Sequence, residues 1–489
     1  MTMAARIALA STIGLAWVET AFGQEEARAA ARVQQDVDKF QRQLDEFRAS
    51  SRVRINDKIP PGTRAYYDYG LFTSVNYLSL DDANLDNRGL WQYDAVGFAR
   101  INLDGVHEGF FRGRVFFRDF NPGDEFEENQ AHNWDGHLDR LYYKFDLGRY
   151  LSAKSGELGK GGATVKFGRD LVYWGTGLTL AQDLDAVVVD LSYDPYSVQL
   201  VAGRTPSDTV DFDSSRRDFD DHTNRWFYGL LAQGRINTHR PYGFVLVQRD
   251  HNPNGSTVEV SGQTINTEYD YNSYYLGIGS TGALGDRLAY GIEAVYEGGS
   301  TLSNSFDTAG QIPQSDDDIS AFAANLQLDY LVGDRRNTRL SGEVIYASGD
   351  NDRTSSTNTF AGNITGTDDE GFNGFGLLNT GVALSPSVSN LLSVRGGFST
   401  FPAPAVKALR KLQVGGDVFF FFKADDEGGF DEPTNDEGYI GFEPNIYVNW
   451  QITSDVSFAL RYGIFFPGDA IQADEENRQF FFAGLTFAF

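Results

Sequence analysis

Phe480-Phe481-Phe482-Ala483-Gly484-Leu485-Thr486-Phe487-Ala488-Phe489 ends the chain, and the parity of this stretch decides the fold. On an extended strand, Phe481, Ala483, Leu485, Phe487 and Phe489 project to one face; Phe480, Phe482, Gly484, Thr486 and Ala488 project to the other. An apolar, period-2 segment of this length that ends on an aromatic suits the closing strand of a transmembrane β-barrel. Alone it also suits a buried core strand. The choice depends on whether the pattern recurs upstream.

It recurs from Arg64 onward. Tyr67, Tyr69, Leu71, Thr73, Val75 and Tyr77 share one face; Trp91, Tyr93, Ala95, Gly97, Ala99, Ile101 and Leu103 form the next. Trp226, Tyr228, Leu230, Ala232, Gly234 and Ile236 repeat it, as do Phe322, Ala324, Leu326, Leu328, Tyr330 and Val332. The opposite faces carry Asp68, Ser74 and Asn76, or Asn325, Gln327 and Asp329. Apolar outside and polar inside, strand after strand, predicts a lipid-facing exterior around a wet lumen.

Connections alternate in length. Short ones fall at 104–109, 193–195, 237–241, 282–286, 333–337 and 453–455; long polar ones fall at 121–135, 205–221, 250–267, 299–317, 423–436 and 467–477. Counting 375–384 as a strand gives about nineteen, an odd number that would put the long 423–436 loop on the side of the short turns. Assigning 375–384 to a folded loop gives about eighteen antiparallel strands, with both ends on the short-turn side. A barrel of that size has room for an aqueous path unless loops fold in.

Composition agrees. Mean hydropathy is −0.36, a soluble-looking value that a barrel reaches because only alternate residues face lipid. The 24 Tyr, 38 Phe and 53 Gly favour β structure with aromatic girdles. The absence of Cys excludes disulfides and thiolate metal sites. A net charge of −27 argues against a nucleic-acid partner, which needs a basic face. Acid gathers in predicted loops: Asp316-Asp317-Asp318, Asp368-Asp369-Glu370, Asp425-Asp426-Glu427 and Asp474-Glu475-Glu476. These are read either as solvated surface or as carboxylates bridged by divalent cations. No loop has EF-hand spacing, so no metal ligand and no cofactor is assigned.

The N-terminus divides in two. Residues 1–23 read as a secretory signal: Arg6 is the positive flank, 7–18 the apolar run, and Ala21-Phe22-Gly23 the small-x-small cleavage pattern. Residues 24–62 form a second segment before the 63–489 barrel. Within it Ala30, Val33, Val37, Phe40, Leu44 and Phe47 follow 3-4 spacing, a short heptad seam. A periplasmic helix is expected, either as a coiled coil that trimerises the barrel or as a helix docked on it. Pro60-Pro61-Gly62 ends it.

Parity also selects inward side chains. On the second to fifth strands these are Arg100, Arg112, Arg114, Arg118, Arg140, Lys144 and Lys166, a basic wall. On the eleventh to thirteenth they are Glu293, Glu297, Asp329 and Glu343, an acidic wall. Opposed walls would set a transverse field that orients a charged solute; pairing with inward loops that merely fills space is the competing reading. The six His (His107, His132, His137, His222, His239, His251) lie in turns, loops or strand ends and in no nucleophile motif, so no catalysis is expected.

Three stretches resemble the alginate export family of outer-membrane proteins. They are Phe167-Gly168-Arg169-Asp170 leading to Tyr173-Trp174-Gly175, the segment 184–204 with its Asp194-Pro195 turn and closing Ala202-Gly203-Arg204, and Tyr462-Gly463-Ile464-Phe465-Phe466-Pro467-Gly468. The resemblance implies an 18-stranded barrel with a cation-rich lumen that passes an anionic polysaccharide. The motif residues Arg169 and Arg204 fall on the outward parity of their strands, at strand ends, snorkelling, or turned by a bulge. A structural or adhesive barrel with a blocked lumen is the alternative from another class.

Overall fold

The computed structural model describes residues 65–81, 87–124, 132–156, 161–213, 215–216, 218–220, 222–260, 263–307, 309–353, 355–360, 362–472 and 476–489. The signal and heptad segments lie outside the described residues.

The chain runs β1 (Tyr66–Asp81), β2 (Asn87–Leu103), β3 (His107–Phe120), β4 (His132–Asp146), α1 (Leu147–Ser155), β5 (Gly161–Tyr173), β6 (Ala181–Tyr193), β7 (Tyr196–Arg204), β8 (Arg225–Gly234) and β9 (His239–Asp250). There follow β10 (Gly255–Val260), β11 (Gln263–Glu268), β12 (Tyr271–Leu284), β13 (Leu288–Leu302), β14 (Phe306–Asp307), β15 (Gly310–Gln311), β16 (Asp316–Leu331) and β17 (Arg339–Ala347). The last are β18 (Leu391–Thr400), β19 (Leu412–Phe422), β20 (Tyr439–Gln451), β21 (Val456–Pro467) and β22 (Arg478–Ala488). Eighteen of the strands make one sheet, and β10–β11 and β14–β15 are two small hairpins within loops.

The closing strand does what its sequence predicts. β22 pairs antiparallel with β1, from Phe72 opposite Ala488 to Leu80 opposite Phe480. Phe489 N–H then donates to the Leu71 carbonyl at 2.8 Å. Closure leaves no edge strand with unpaired backbone groups. Phe480 and Phe482 are buried inside, while Phe489 is 78% exposed on the outside.

Outward side chains are exposed around the whole circumference: Tyr69 at 81%, Trp91 at 42% and Phe322 at 56%. A water-soluble protein does not present apolar surface on this scale, whereas a hydrocarbon environment requires it. Tight connections and both barrel ends share one rim, here the turn end; the long loops share the other, the loop end. The first tight turn uses Asp104 and Gly105, both with positive φ (54° and 71°), the conformation that matches hairpin twist.

Three features depart from sequence expectation. Leu147–Ser155 is a helix at the turn end, N-capped by the Asp146 side chain and closed by Gly156 at φ 75°. Its apolar Leu147, Tyr150 and Leu151 are exposed, and at 9 residues it is too short for a periodic signal to announce it. Asp139 is an extra residue where the β3–β4 register shifts between Arg112 and Gly113, a bulge that flips the parity of β4 above it. Finally, the lumen is not wet throughout. Inward residues from β6 to β17 form an apolar core at the loop end, among them Leu184, Val188, Phe227, Phe244, Tyr275 and Ile345. Inward-folded loops supply its other half.

Candidate functional site: an inner charged wall and the loops folded beside it

The seven basic residues chosen by parity lie on four neighbouring strands and face inward, but carboxylates stand among them. Arg100 grips Glu108 through Nη2 at 2.6 Å and Nε at 3.0 Å. Arg114 grips Asp94 at 2.7 Å, a pair almost wholly buried and extended by Asn76 and Ser74 on β1. Arg118 donates to Gln92, and its guanidinium lies 4.6 Å from the centre of the Phe116 ring. Arg112 meets the bulge residue Asp139 at 3.0 Å, while Asp170 takes Lys166 at 2.6 Å and Arg140 at 3.4 Å. Five of the seven cations thus contact four carboxylates, Asp94, Glu108, Asp139 and Asp170. Arg112 and Arg140 are register partners with like charge. The 3.4 Å approach of Arg140 to Asp170 makes no aligned hydrogen bond: Arg140 Nε and Asp170 Oδ1 both lack a partner among the described residues.

Sequence reasoning found the cations and missed these carboxylates. Asp94 alternates with Gln92 and Val96 on the inward parity of β2, so the signal was present. Asp139 was hidden by its bulge.

The acidic positions are inward, as parity predicts, but Glu293, Glu297 and Glu343 are buried and do not line open lumen. Glu293 is 1% exposed: its Oε2 accepts the Thr176 N–H at 2.7 Å and the Tyr242 hydroxyl at 2.6 Å, clamping the 174–180 loop. Glu297 accepts the Tyr271 and Tyr275 hydroxyls at 2.6 and 2.8 Å and the Asn373 N–H at 2.8 Å, clamping the long 348–390 loop. Glu343 joins Arg395 at 2.7 Å and Asp329 joins Arg339 at 2.6 Å. The reason is energetic: a buried carboxylate must be satisfied, and loop N–H groups satisfy it.

A third carboxylate completes the device. Glu443 on β20 accepts the N–H groups of Val382, Ala383 and Leu384 at 2.6–3.0 Å. Residues 371–384 are therefore a strap fixed at Glu297 on β13 and at Glu443 on β20. Midway, Phe375 forms a parallel bridge with Leu180, joining strap to loop. Trp174 anchors the 174–180 loop, fully buried, with Nε1 donating to Gln199 at 2.6 Å. Gly175 (φ 57°) and Gly381 (φ 93°) meet the carboxylates so closely that a Cβ would strike Glu293 or Glu443.

The motif arginines are not in the lumen. Arg169 lies on the outer parity, bidentate to Asp185 at 2.8 and 3.0 Å, with Nη1 on the Leu138 carbonyl at 3.1 Å. Arg204 is exposed at the loop end of β7. Among the described residues no three His, Asp or Glu side chains converge as a metal site would need.

Several solved structures share this architecture. OccK8 (OprE) of Pseudomonas aeruginosa is 8% identical, with 86% of this chain and 98% of that chain covered at a TM-score of 0.50. OccAB2 of Acinetobacter baumannii is 10% identical over 86% and 98%, also at 0.50. The outer membrane protein OpdK of Pseudomonas aeruginosa is 11% identical over 87% and 98%, at 0.47. At such identities the likeness concerns the fold. No curated protein matches the sequence. The family model described as alginate export matches residues 150–483, which is more than half of the chain and includes all three motif stretches. The chain belongs to the alginate export family of outer-membrane β-barrels.

Proposed function

We propose that this porin-like channel passes an anionic solute, an oligo- or polysaccharide of the alginate type, along the inner face of β2–β5. What supports this is the strip of seven cations turned inward on four neighbouring strands, opposite loops that fill the β6–β17 side with apolar packing. A solute held off the packed side travels beside the guanidiniums, which pair with carboxylates in flat, bidentate geometry. Passage is passive and uses no cofactor. The turn end, with both ends of the barrel, faces the periplasm; the loop end faces outward.

Planar-bilayer recording tests this. Reversing Arg112, Arg140 and Lys166 to Glu should turn anion preference into cation preference, and alginate oligomers should block wild-type current but not that of the variant. Unchanged selectivity would overturn the path. A closed barrel in every state would favour a structural role, with the strap as the plug. Trimerisation through 24–62 is a separate proposal: native mass spectrometry should show the trimer lost when that segment is removed.

A further inference from the structure

The outer surface carries a second arrangement that transport does not use. Arg204 (β7), Trp226 (β8) and Arg249 (β9) are successive register partners on the outward parity. All three lie within two residues of the loop end of their strands. The two arginines are two strand spacings apart, about 10 Å. Arg204 makes no side-chain contact among the described residues, because the carboxylate opposite it in register, Asp185, is taken by Arg169. Arg249 spends one N–H on the Gln248 carbonyl. Exposed guanidiniums on a lipid-facing surface need an anion, and the nearest rung carries none to spare. Trp226 stacks with Tyr228 below it at 6.2 Å between centroids, as aromatic rings do at a membrane interface.

A groove begins four residues farther along β8 and β9, at Leu230 and Val245, and runs from there across β12, β13 and β16. Its walls are outward residues including Leu230, Val245, Ile278, Tyr296 and Phe322, and its volume is about 620 Å³. It is open to the lipid along its length. Small residues make it: Gly243, Ala294 and Ala324 fall on one rung between bulkier neighbours. Four strand residues place the near edge of the groove, Val245, about 13 Å from Arg249, a separation that suits a lipid with a charged head and an acyl tail.

We propose that this face holds one phosphorylated glycolipid of the outer leaflet, its phosphates on Arg204 and Arg249, its sugar against Trp226, and an acyl chain in the groove. Phosphate is favoured over carboxylate because two guanidiniums on alternate strands match two anionic groups on one head. The inference rests on the loop end facing outward only for where the lipid resides, so binding is measured free of orientation. The full chain in phosphatidylcholine nanodiscs is loaded with bis-phosphorylated lipid A, and retained lipid is counted by native mass spectrometry. Retention is expected for bis-phosphorylated lipid A and not for lipid A stripped of its phosphates. R204E/R249E should weaken retention by about tenfold or more, since each basic residue contributes about 1 kcal/mol at a charged lipid surface. R204Q/R249Q should weaken it less, and serves if the double reversal fails the heat-modifiable mobility check. A294F should lower retention without a change of charge. Equal retention of the stripped lipid, or no effect of the arginine pair, overturns the head site; no effect of A294F overturns the tail site. Full displacement by inorganic phosphate would reduce it to a free-anion site and overturn the lipid.

Discussion

The inner faces of β2–β5 and of β6–β17 arise from one alternating pattern and carry opposite chemistry. On β2–β5 the inward positions carry Arg, Lys, Asp, Glu and Gln that satisfy one another across strands, beside Leu90, Phe116 and Phe120 buried toward the loop end. On β6–β17 at the loop end they hold Leu, Val, Ala, Phe and Tyr, packed against Trp174, Leu178, Phe372 and Phe375 from the loops. A lumen wide enough for water is filled on the β6–β17 side by its own loops. Carboxylates serve both sides differently. Asp94 and Asp170 temper cations within the wall, whereas Glu293, Glu297 and Glu443 collect loop N–H groups and fix the packed half in place. The lesson is that inward charge in a barrel has two uses, one facing other side chains of the wall and one facing loop backbone.

The most severe way to break this contrast is to remove the strap. Replacing 371–384 by a short Gly-Ser link should leave the barrel closed, because its strands pair without the strap, and should raise single-channel conductance several-fold. An unchanged conductance would mean that the strap lies beside the path and does not narrow it. A smaller effect is expected at the other end of the packed half. Trp174→Ala opens a cavity under the 174–180 loop and loses the bond to Gln199; aromatic truncations of this kind cost about 3–5 kcal/mol. Amide exchange across 174–180 should accelerate strongly while exchange in β2–β4 stays as it was. Parallel acceleration in β2–β4 would show that the two halves are one cooperative unit. Glu293→Gln should act more weakly at the same loop, since the amide oxygen can keep one of the donors and the lost charge-assisted bonds contribute about 1.5–3 kcal/mol.

Much of this barrel was legible before any coordinates. Period 2 gave the strands, the alternation of connection lengths assigned 375–384 to a loop, and parity turned Arg112, Lys166, Glu293 and Glu343 inward. What parity does not carry is what an inward side chain meets, because partners come from segments without periodicity. Loops such as 174–180 and 348–390 take their shape from single contacts, Thr176 to Glu293 or Asn373 to Glu297, between residues 117 and 76 positions apart. The bulge at Asp139 and the capped helix at Leu147–Ser155 are likewise local choices with no repeat behind them. Trp174-Gly175 was quoted as a family motif; its structural reason, an anchor beside a glycine that lets Glu293 approach, needed the fold. The family match begins at residue 150, so the strands that carry most of the basic wall precede it and are assigned on their own chemistry.

The finest test concerns acid, and it separates a loop held by charge from walls held by strand pairing. In the 205–224 loop Asp211 is buried against Arg225 at 2.8 and 2.9 Å, with Arg216 at 3.4 Å. Burial alone would push its carboxyl up, but Arg225 and Arg216 together hold it below its ordinary value of 3.8. A carboxyl depressed in the folded state stabilises that state fully above its unfolded value, and the contribution disappears as pH falls through the lower folded one. Amide exchange in 205–224 should therefore be flat from neutral pH down to about pH 4, once the intrinsic rate is removed, and rise below it. Asp211→Asn should abolish that acid step while leaving the loop less protected at neutral pH, because Arg225 loses its bidentate partner and keeps Asp250 at 3.1 Å. An acid step of the same size in the Asn variant would assign it to another group, and Asp211 would then be a structural hydrogen-bond acceptor whose charge is incidental.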